Sequence, residues 1–392
     1  MKQVIIKRKK EIALQRRHPW VFSGAIKAGT EELEEGDTVS IIGESGQHLG
    51  VGHFQRSSIM LRVLSFEPTE AGQAFWTHKL QQAYDCRARL GLTERPDLQA
   101  YRLVHAEGDG LPGLIVDIYG ATAVVQCHSI GMHRSLPLIT QGLQEVLGAN
   151  LSAIYHKSSN TLPGKYASEV EDGYLMGKAS KAVIQEYGHA FEIDWEGGQK
   201  TGFFLDQREN RQLLAQYAAG KKVLNTFCYT GGFSIYALQA GAHTVESVDV
   251  SSAAMQITDR NVALGGFDAQ QHISHTQDVM AFLKTAPEDY DIIVVDPPAF
   301  AKNLRKRHKA VQGYKRLNAL ALKKIKPGGL LFTFSCSQVV DQKLFYDTIV
   351  AAAMEAGRQA QVIYQLTQGP DHPVNIFHPE GAYLKGLVLL LE

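Results

Sequence analysis

From about residue 200 to the C-terminus the chain alternates short apolar runs with helical patterns, and this restricts its fold more than any other feature. Strand-length runs occur near 222–227, 244–249, 271–275, 291–296, 330–336, 361–365 and 384–391. Helical patterns near 206–219, 232–240, 251–264, 278–284, 313–325 and 341–356 separate them. Such alternation implies a mostly parallel sheet with helices on both faces. Ligands of such sheets bind beyond the carboxyl ends of the strands. The residues that end each apolar run are therefore where chemistry is expected.

A chain of 392 residues exceeds one ordinary domain, so two or three are expected. No apolar run approaches the ~18 residues of a membrane span, and the basic segment Met1 to Lys10 lacks an apolar signal core. The reading is a soluble cytoplasmic protein with no membrane partner. Cys86, Cys127, Cys228 and Cys336 are far apart. Their spacing offers neither a zinc hook nor a disulfide framework, so no metal is expected and a working cysteine would act as a single thiol.

Formal charge is zero, yet it is unevenly spread. Between Pro297 and Val340 there is no Asp or Glu, while Lys302, Arg305, Lys306, Arg307, Lys309, Lys315, Arg316, Lys323, Lys324 and Lys326 all fall there. Lys7, Arg8, Lys9, Lys10, Arg16 and Arg17 form a second basic cluster. A solvated helix face is the plain explanation of such a run. An unbalanced run just after a candidate acid also suits the phosphate backbone of a nucleic acid.

Three regions follow from the pattern. Residues 1–70 read as short strands and tight turns, among them Asp37 to Ile42 and Ile59 to Leu64, forming a small barrel. Residues 71–195 open with a helix through about Leu90 and continue as a small α/β region. It holds a hairpin of Leu114–Tyr119 and Ala123–Cys127 about Gly120, a helix near Ser135 to Leu147, and a strand near Ala153 to His156. Residues 196–392 are the alternating region.

The first strand of that region runs into Tyr229-Thr230-Gly231-Gly232 and then a helix, a turn that lets a ligand approach the backbone. It does not fit Gly-x-Gly-x-x-Gly, which disfavours a nicotinamide enzyme. The second strand ends in Asp249, placed to accept from both ribose hydroxyls, although a helix cap is its plain alternative. Asp278 follows the third strand, where it could meet an adenine amino group, and Asp296 ends the fourth. Gly231, Gly232, Asp249, Asp278 and Asp296 occur in the order expected for S-adenosyl-L-methionine in a class I methyltransferase.

Cys336 ends the fifth strand, in Phe334-Ser335-Cys336-Ser337. Cytosine C5 is too weak a nucleophile to attack a methyl sulfonium directly. A thiolate adding at C6 makes C5 enamine-like, and an acid at N3 or N4 assists. Cys336 and Asp296 fill these two roles. A buried structural thiol is the plain alternative for Cys336, and Cys228, in the glycine turn, is a competing thiol expected to face the cofactor. Asp296-Pro297-Pro298 also resembles the Asp/Asn-Pro-Pro-aromatic motif of amine methyltransferases. Here Ala299 intervenes before Phe300, and amine transfer has no use for Cys336.

Together the motifs resemble the bacterial 23S ribosomal RNA cytosine-C5 methyltransferases. The resemblance rests on Arg17 to Ala25, Gly108 to Gly113, Lys200 to Arg208, Asn225 to Phe233, Asp296-Pro297-Pro298, Phe334 to Ser337 and Asp371 to Val374, which span nearly the whole chain. It implies an α/β fold: a Rossmann-like class I methyltransferase domain, an N-terminal PUA-like β-barrel and a small central α/β domain. It implies S-adenosyl-L-methionine as cofactor, 23S ribosomal RNA as partner, Cys336 as nucleophile and Asp296 as acid. Cofactor contacts carry over to Asn225, Phe227, Gly231, Asp249 and Asp278, with Tyr229 in the same turn, and further to Gln207 and Arg208. The family's loop often has Ser where this chain has Cys228. Basic residues of the first domain would hold RNA by phosphate contact; His18, Trp20 and Phe22 could stack bases, with barrel core the plainer reading of Trp20 and Phe22. A homodimer is compatible with the domain plan, without a decisive interface pattern. Competing readings are N-methylation of an exocyclic amine and a non-catalytic RNA-binding or ribosome-assembly factor.

Overall fold

The computed structural model describes residues 1–179, 182–268, 270–301 and 303–392. The chain forms two compact units: Met1–Ile184 with Ile193–Phe203 and Pro370–Gly381, and Gln185–Glu192 with Phe204–Gly369 and Ala382–Glu392. No helix among the described residues is long and apolar enough to cross a membrane.

The first unit opens with a six-stranded sheet of Lys2–Ile6, Trp20–Phe22, Ile26–Ala28, Thr38–Gly43, His48–Phe54 and Ile59–Ser65. Its two edge strands, Trp20–Phe22 and Ile26–Ala28, are joined by Ser23–Ala25 alone, so the sheet must curl until its edges approach. Thr38–Gly43 alternates half-buried and buried residues, as one face turned to a core requires. That core gathers Val4, Ile6, Val39, Ile41, Phe54 and Leu61. Phe22 departs from the barrel-core reading: it is 52% exposed, because it sits where the short edge strand passes into the Ser23–Ala25 turn.

A five-stranded sheet follows, in the order Gly173–Met176, Ala153–His156, Thr122–Cys127, Leu114–Tyr119, Ala100–His105. Buried Arg87 grips Asp109 through both guanidinium nitrogens and also donates to the Asp371 carbonyl (2.8 Å). Asp371 in turn accepts from the Arg102 amide (2.9 Å) and lies beside His372 Nδ1 (3.0 Å). The Asp-His-Pro segment is thus tied into this unit by charge-assisted hydrogen bonds.

The second unit is the expected layered structure. Its strands are β1 (Lys222–Thr226), β2 (Thr244–Asp249), β3 (His272–Thr276), β4 (Tyr290–Val295), β5 (Ile325–Ser335), β6 (Ala360–Leu366) and β7 (Lys385–Leu391). Its helices are α1 (Arg208–Ala218), α2 (Gly232–Gln239), α3 (Ser252–Leu264), α4 (Val279–Thr285), α5 (Arg307–Lys324) and α6 (Gln342–Ala356). The sheet order is β3-β2-β1-β4-β5-β7-β6, with β1 to β5 parallel and β7 antiparallel to both neighbours. Helices start where a side chain can take an orphan amide: Ser251, Asp278 and Asp341 accept from Ala254, Ala281 and Leu344. Leu224, Ile293, Val295, Leu331, Leu317 and Leu389 are among the core residues that lock β1, β4, β5 and β7 against α5. The strand order reverses between β1 and β4, so the loops leaving these two strands diverge and open a crevice at their carboxyl ends.

Candidate active site

Three loops meet at that crevice. The first leaves β1 as Phe227-Cys228-Tyr229-Thr230-Gly231. Phe227 (φ 55°), Tyr229 (φ 50°) and Gly231 (φ 80°) are all left-handed. For the two aromatic residues this costs on the order of 1–3 kcal/mol each, so the surroundings must impose it. Tyr229 N donates to Asp249 Oδ2 (3.0 Å) and Gly231 N to the Cys228 carbonyl (2.9 Å). Thr258 Oγ1 donates to the Tyr229 carbonyl (2.8 Å), and Asn261 Nδ2 to that of Thr230 (2.9 Å). A side chain at Gly231 would meet Thr258 Cγ2 at 2.8 Å, so only glycine fits that turn. Asp249 therefore does more than end β2: one oxygen braces Tyr229, and the other accepts from Ser251 N (2.9 Å). Each carboxylate oxygen keeps capacity to accept more.

The other expected cofactor residues sit differently. Asn225 is buried, with Nδ2 on Ser234 Oγ (2.8 Å), so its side chain braces β1 against α2. Asp278 is exposed and caps α4 through Ala281 N (2.8 Å). Gln207 and Arg208 are buried at the start of α1. Gln207 Nε2 donates to Asp296 Oδ2 (3.0 Å) while its Oε1 accepts from Asn210 Nδ2 (2.6 Å). Arg208 Nε donates to Glu209 Oε1 (3.2 Å).

Asp296 follows β4 and Cys336 follows β5, and Val295 lies opposite Thr333 in the parallel register. The two functional groups are thus delivered by adjacent strands, one residue past each end. Burial, then the neighbouring Asp206 carboxylate, pushes Asp296 up to about 7, against the pull of the Gln207 hydrogen bond. Cys336 is half-buried. Burial lifts its thiol to about 11, Asp296 and Asp206 add to the rise, and Lys385 opposes it. The thiol and the Asp296 carboxyl feel each other's charge, so a proton on Asp296 makes the thiolate easier to form. Phe300 packs its ring against Tyr314 (4.5 Å).

Cys228 is a different thiol. It is buried, its Sγ lies 3.4 Å from Met255 Sδ, and burial, then Asp249, raises it far beyond the ordinary thiol range. It packs under the loop as a small apolar side chain.

Two site residues escape the sequence reading. Asp206 takes the Tyr383 hydroxyl on Oδ2 (2.6 Å), whereas its Oδ1 is buried without a hydrogen-bond partner among the described residues. Lys385 opens β7, buried, and donates to the carbonyls of Ser337 (2.8 Å) and Tyr383 (2.7 Å). The available signals were Asp206 beside Gln207-Arg208, and one lysine at the head of a buried apolar strand.

The basic residues also sort themselves. Lys315, Lys324 and Lys326 pair with Glu355, Glu288 and Asp291. The fold thus neutralises the rear of the run with acids from elsewhere in the chain. Arg305, Lys306, Arg307 and Lys309 are exposed around the start of α5, and Lys302 lies outside the described residues. In the first unit Lys7, Arg8, Lys9, Lys10, Arg16 and Arg17 are all exposed.

Comparison with known proteins gives this arrangement its family. The profile of S-adenosylmethionine-dependent methyltransferases matches residues 112–387, and that of PUA-like domains residues 4–66. The chain belongs to the S-adenosylmethionine-dependent methyltransferase family. Over 388 residues it is 41% identical to an Aeromonas hydrophila protein named ribosomal RNA large subunit methyltransferase I, covering 97% of each chain. An Escherichia coli protein of the same name is 38% identical over 391 residues, with 98% of each covered. Among solved structures, the methyltransferase SMU.776 complexed with SAH superposes at a TM-score of 0.85 over 100% of both chains, at 22% identity.

The methyltransferase's residues fit its cofactor. The left-handed loop lies at the carboxyl end of β1, and Asp249 retains acceptor capacity for a ribose diol. The unpartnered Asp206 Oδ1 suits a cationic group such as the amino end of methionine. S-adenosyl-L-methionine supplies an electrophilic methyl group on a sulfonium.

Proposed function

We propose that this methyltransferase modifies C5 of a cytosine in 23S ribosomal RNA through a covalent adduct with Cys336. The observation that carries the reading is the delivery of Cys336 and Asp296 by adjacent strands into one crevice, with their charges coupled. The relatives' names place the RNA in the large ribosomal subunit. The Cys336 thiolate adds to cytosine C6, and the displaced electron pair is drawn toward N3, where Asp296 in its protonated form donates. C5 then has the character to take a methyl group. Loss of the C5 proton to water, expulsion of the thiolate and return of the N3 proton to Asp296 restore the ring and free Cys336. Asp296, ionising near 7, can hold the proton this step needs at neutral pH.

Asn225, Phe227, Tyr229, Gly231, Gly232, Asp249, Asp278, Gln207 and Arg208 form the proposed cofactor shell. Phe227, Tyr229, Gly231, Gly232 and Asp249 shape its wall, and Gln207 orients Asp296. Asn225 contributes through the backbone of β1, since its side chain is committed to Ser234. Arg305, Lys306 and Arg307 are proposed to hold RNA phosphates. Cations at a helix start oppose the helix dipole, so their clustering at α5 favours an anionic partner. Lys7 to Lys10, Arg16 and Arg17 are proposed to do the same in a PUA-like domain of residues 1–70, followed by a central domain of 71–195 and a catalytic domain of 196–392.

The test is transfer of labelled methyl from S-adenosyl-L-methionine to unmodified 23S rRNA, with the product nucleoside identified by mass spectrometry. Label in 5-methylcytosine is expected. Label on an exocyclic nitrogen would replace this reading with amine transfer, and RNA binding without cofactor binding would replace it with a non-catalytic role.

A further inference from the structure

The antiparallel register sets Lys385 opposite Ser335, yet its ammonium reaches the carbonyl of Ser337, two residues further along the partner strand. Its side chain therefore spans the turn at whose centre Cys336 sits. Nζ also donates to the Tyr383 carbonyl at 2.7 Å, which leaves one of its three N–H donors uncommitted by these contacts. A lysine is rarely buried unless something requires its charge, and Lys385 is only 8% exposed. No carboxylate is within ion-pairing distance of it among the described residues. Two neutral carbonyls hold it in place instead.

We infer that Lys385 is a positioning residue that fixes the Ser335–Ser337 turn and presents a positive charge to the Cys336 thiolate. The inference rests on the reading of Cys336 as nucleophile. Four groups face Cys336: Asp296 after β4, Asp206 before α1, Lys385 on β7, and Tyr314 on α5, whose hydroxyl lies 3.0 Å from Ser337 Oγ. The two carboxylates oppose ionisation of the thiol, and Lys385 is the cation that favours it. Burial lowers Lys385 to about 8, with Cys336 and then Asp341 holding it up. Its charge is therefore present at neutral pH and fades as pH rises through about 8. The thiol proton leaves to water, and below pH 8 Lys385 keeps its own proton as it does so.

The experiment is the pH dependence of iodoacetamide alkylation at Cys336, followed by peptide mass spectrometry on the full chain. Wild type is compared with Lys385→Met, Lys385→Gln and Lys385→Arg. Buried Cys127 and Cys228 report folding, because they react only if the structure opens. Loss of the cation is expected to lower the Cys336 thiolate fraction below pH 8, and the gap from wild type should close above it, where the wild-type lysine is itself neutral. That slows alkylation near pH 7 by roughly tenfold, while Lys385→Arg stays near wild type there. An unchanged alkylation rate at pH 7 in a folded Met or Gln variant would overturn the inference. So would an arginine variant that behaves like methionine with Cys127 and Cys228 still protected. Should Lys385→Met open the structure, the polar Lys385→Gln decides. Alkylation needs no turnover, so the result stands apart from methyl-transfer assays. If Cys336→Ala keeps full activity, the nucleophile reading fails whatever the alkylation profile shows.

Discussion

Two cysteines leave the same sheet at the same end, and their surroundings differ in access and in charge. Cys228 comes two residues after β1 and Cys336 one residue after β5. Cys228 is 6% exposed, sits against Met255 and has a carboxylate, Asp249, as its nearest charge of note. Cys336 is half-buried and has Lys385 to offset Asp296 and Asp206. Position at a strand end is thus insufficient. Reactivity needs access and a cation, because the thiolate is the nucleophile and burial alone raises the energy of forming it. The left-handed loop around Cys228 uses its strain to present backbone, and its thiol fills the space beneath.

The largest test of this contrast is Cys336→Ala. Removing a covalent nucleophile is expected to lower kcat by at least about 10³-fold, with little change in cofactor affinity by calorimetry. Methyl transfer near the wild-type rate would break the contrast, and with it the covalent mechanism.

Asp296→Asn is expected to cost roughly 10²–10³ in kcat/KM, the usual worth of a positioned acid. Its pH profile is the sharper measurement. Cys336 ionises at about 11 and Asp296 at about 7, so the active form carries the proton on Asp296 and not on the thiol. Below 7 activity should rise with pH as thiolate accumulates. Above 7 that gain is offset by loss of the Asp296 proton, and the wild-type profile should flatten. The asparagine variant has no acid to lose, so its smaller kcat/KM should keep climbing above pH 7. A wild-type profile that climbs without a break there would show that the carboxylate form of Asp296 is the working one.

The same substitution makes a smaller prediction for stability. Folding raises Asp296 from an unfolded value near 4 to about 7. The folded state then binds the extra proton between those values, so stability falls as pH rises through the window. Asparagine removes the effect. The Tm of Asp296→Asn should match wild type near pH 4 and exceed it above pH 7, by roughly 2–4 °C for each kcal/mol released. A gap that shrinks as pH rises would contradict the origin assigned to the shift.

The catalytic layers were legible because parallel strands and their helices announce themselves by period. Every expected strand and helix of the alternating region is present, and Asp296 and Cys336 follow adjacent strands because the topology gathers strand ends. What stayed hidden depends on pairing between distant segments. Lys385 meets the Cys336 turn only through the antiparallel return of β7, a register that no local pattern encodes. The basic run from Lys302 to Lys326 looked uniform, yet Glu355, Glu288 and Asp291 cancel its rear. Phe22 read as core by its apolarity, and the turn after its strand leaves it in solvent. Asn225 sat in a loop motif as a ligand contact, but the Ser234 hydroxyl turns its side chain inward.

The smallest expected effect is the one that separates the two thiols most cleanly. Cys228→Ser changes one atom in a buried pocket. A hydroxyl there costs about 1–3 kcal/mol if it finds no partner. Cys228 Sγ already points at the Tyr229 carbonyl from 3.7 Å, so a small shift lets the hydroxyl donate and keeps the loss at the low end. Tm should fall by only a few degrees, and kcat per folded molecule should stay within about twofold of wild type. The loop's left-handed residues are held by Asp249, Thr258 and Asn261, none of which needs the sulfur. A serine variant that folds yet loses cofactor affinity would place Cys228 in the cofactor wall. One that loses methyl transfer while still binding the cofactor would return it to contention as the nucleophile.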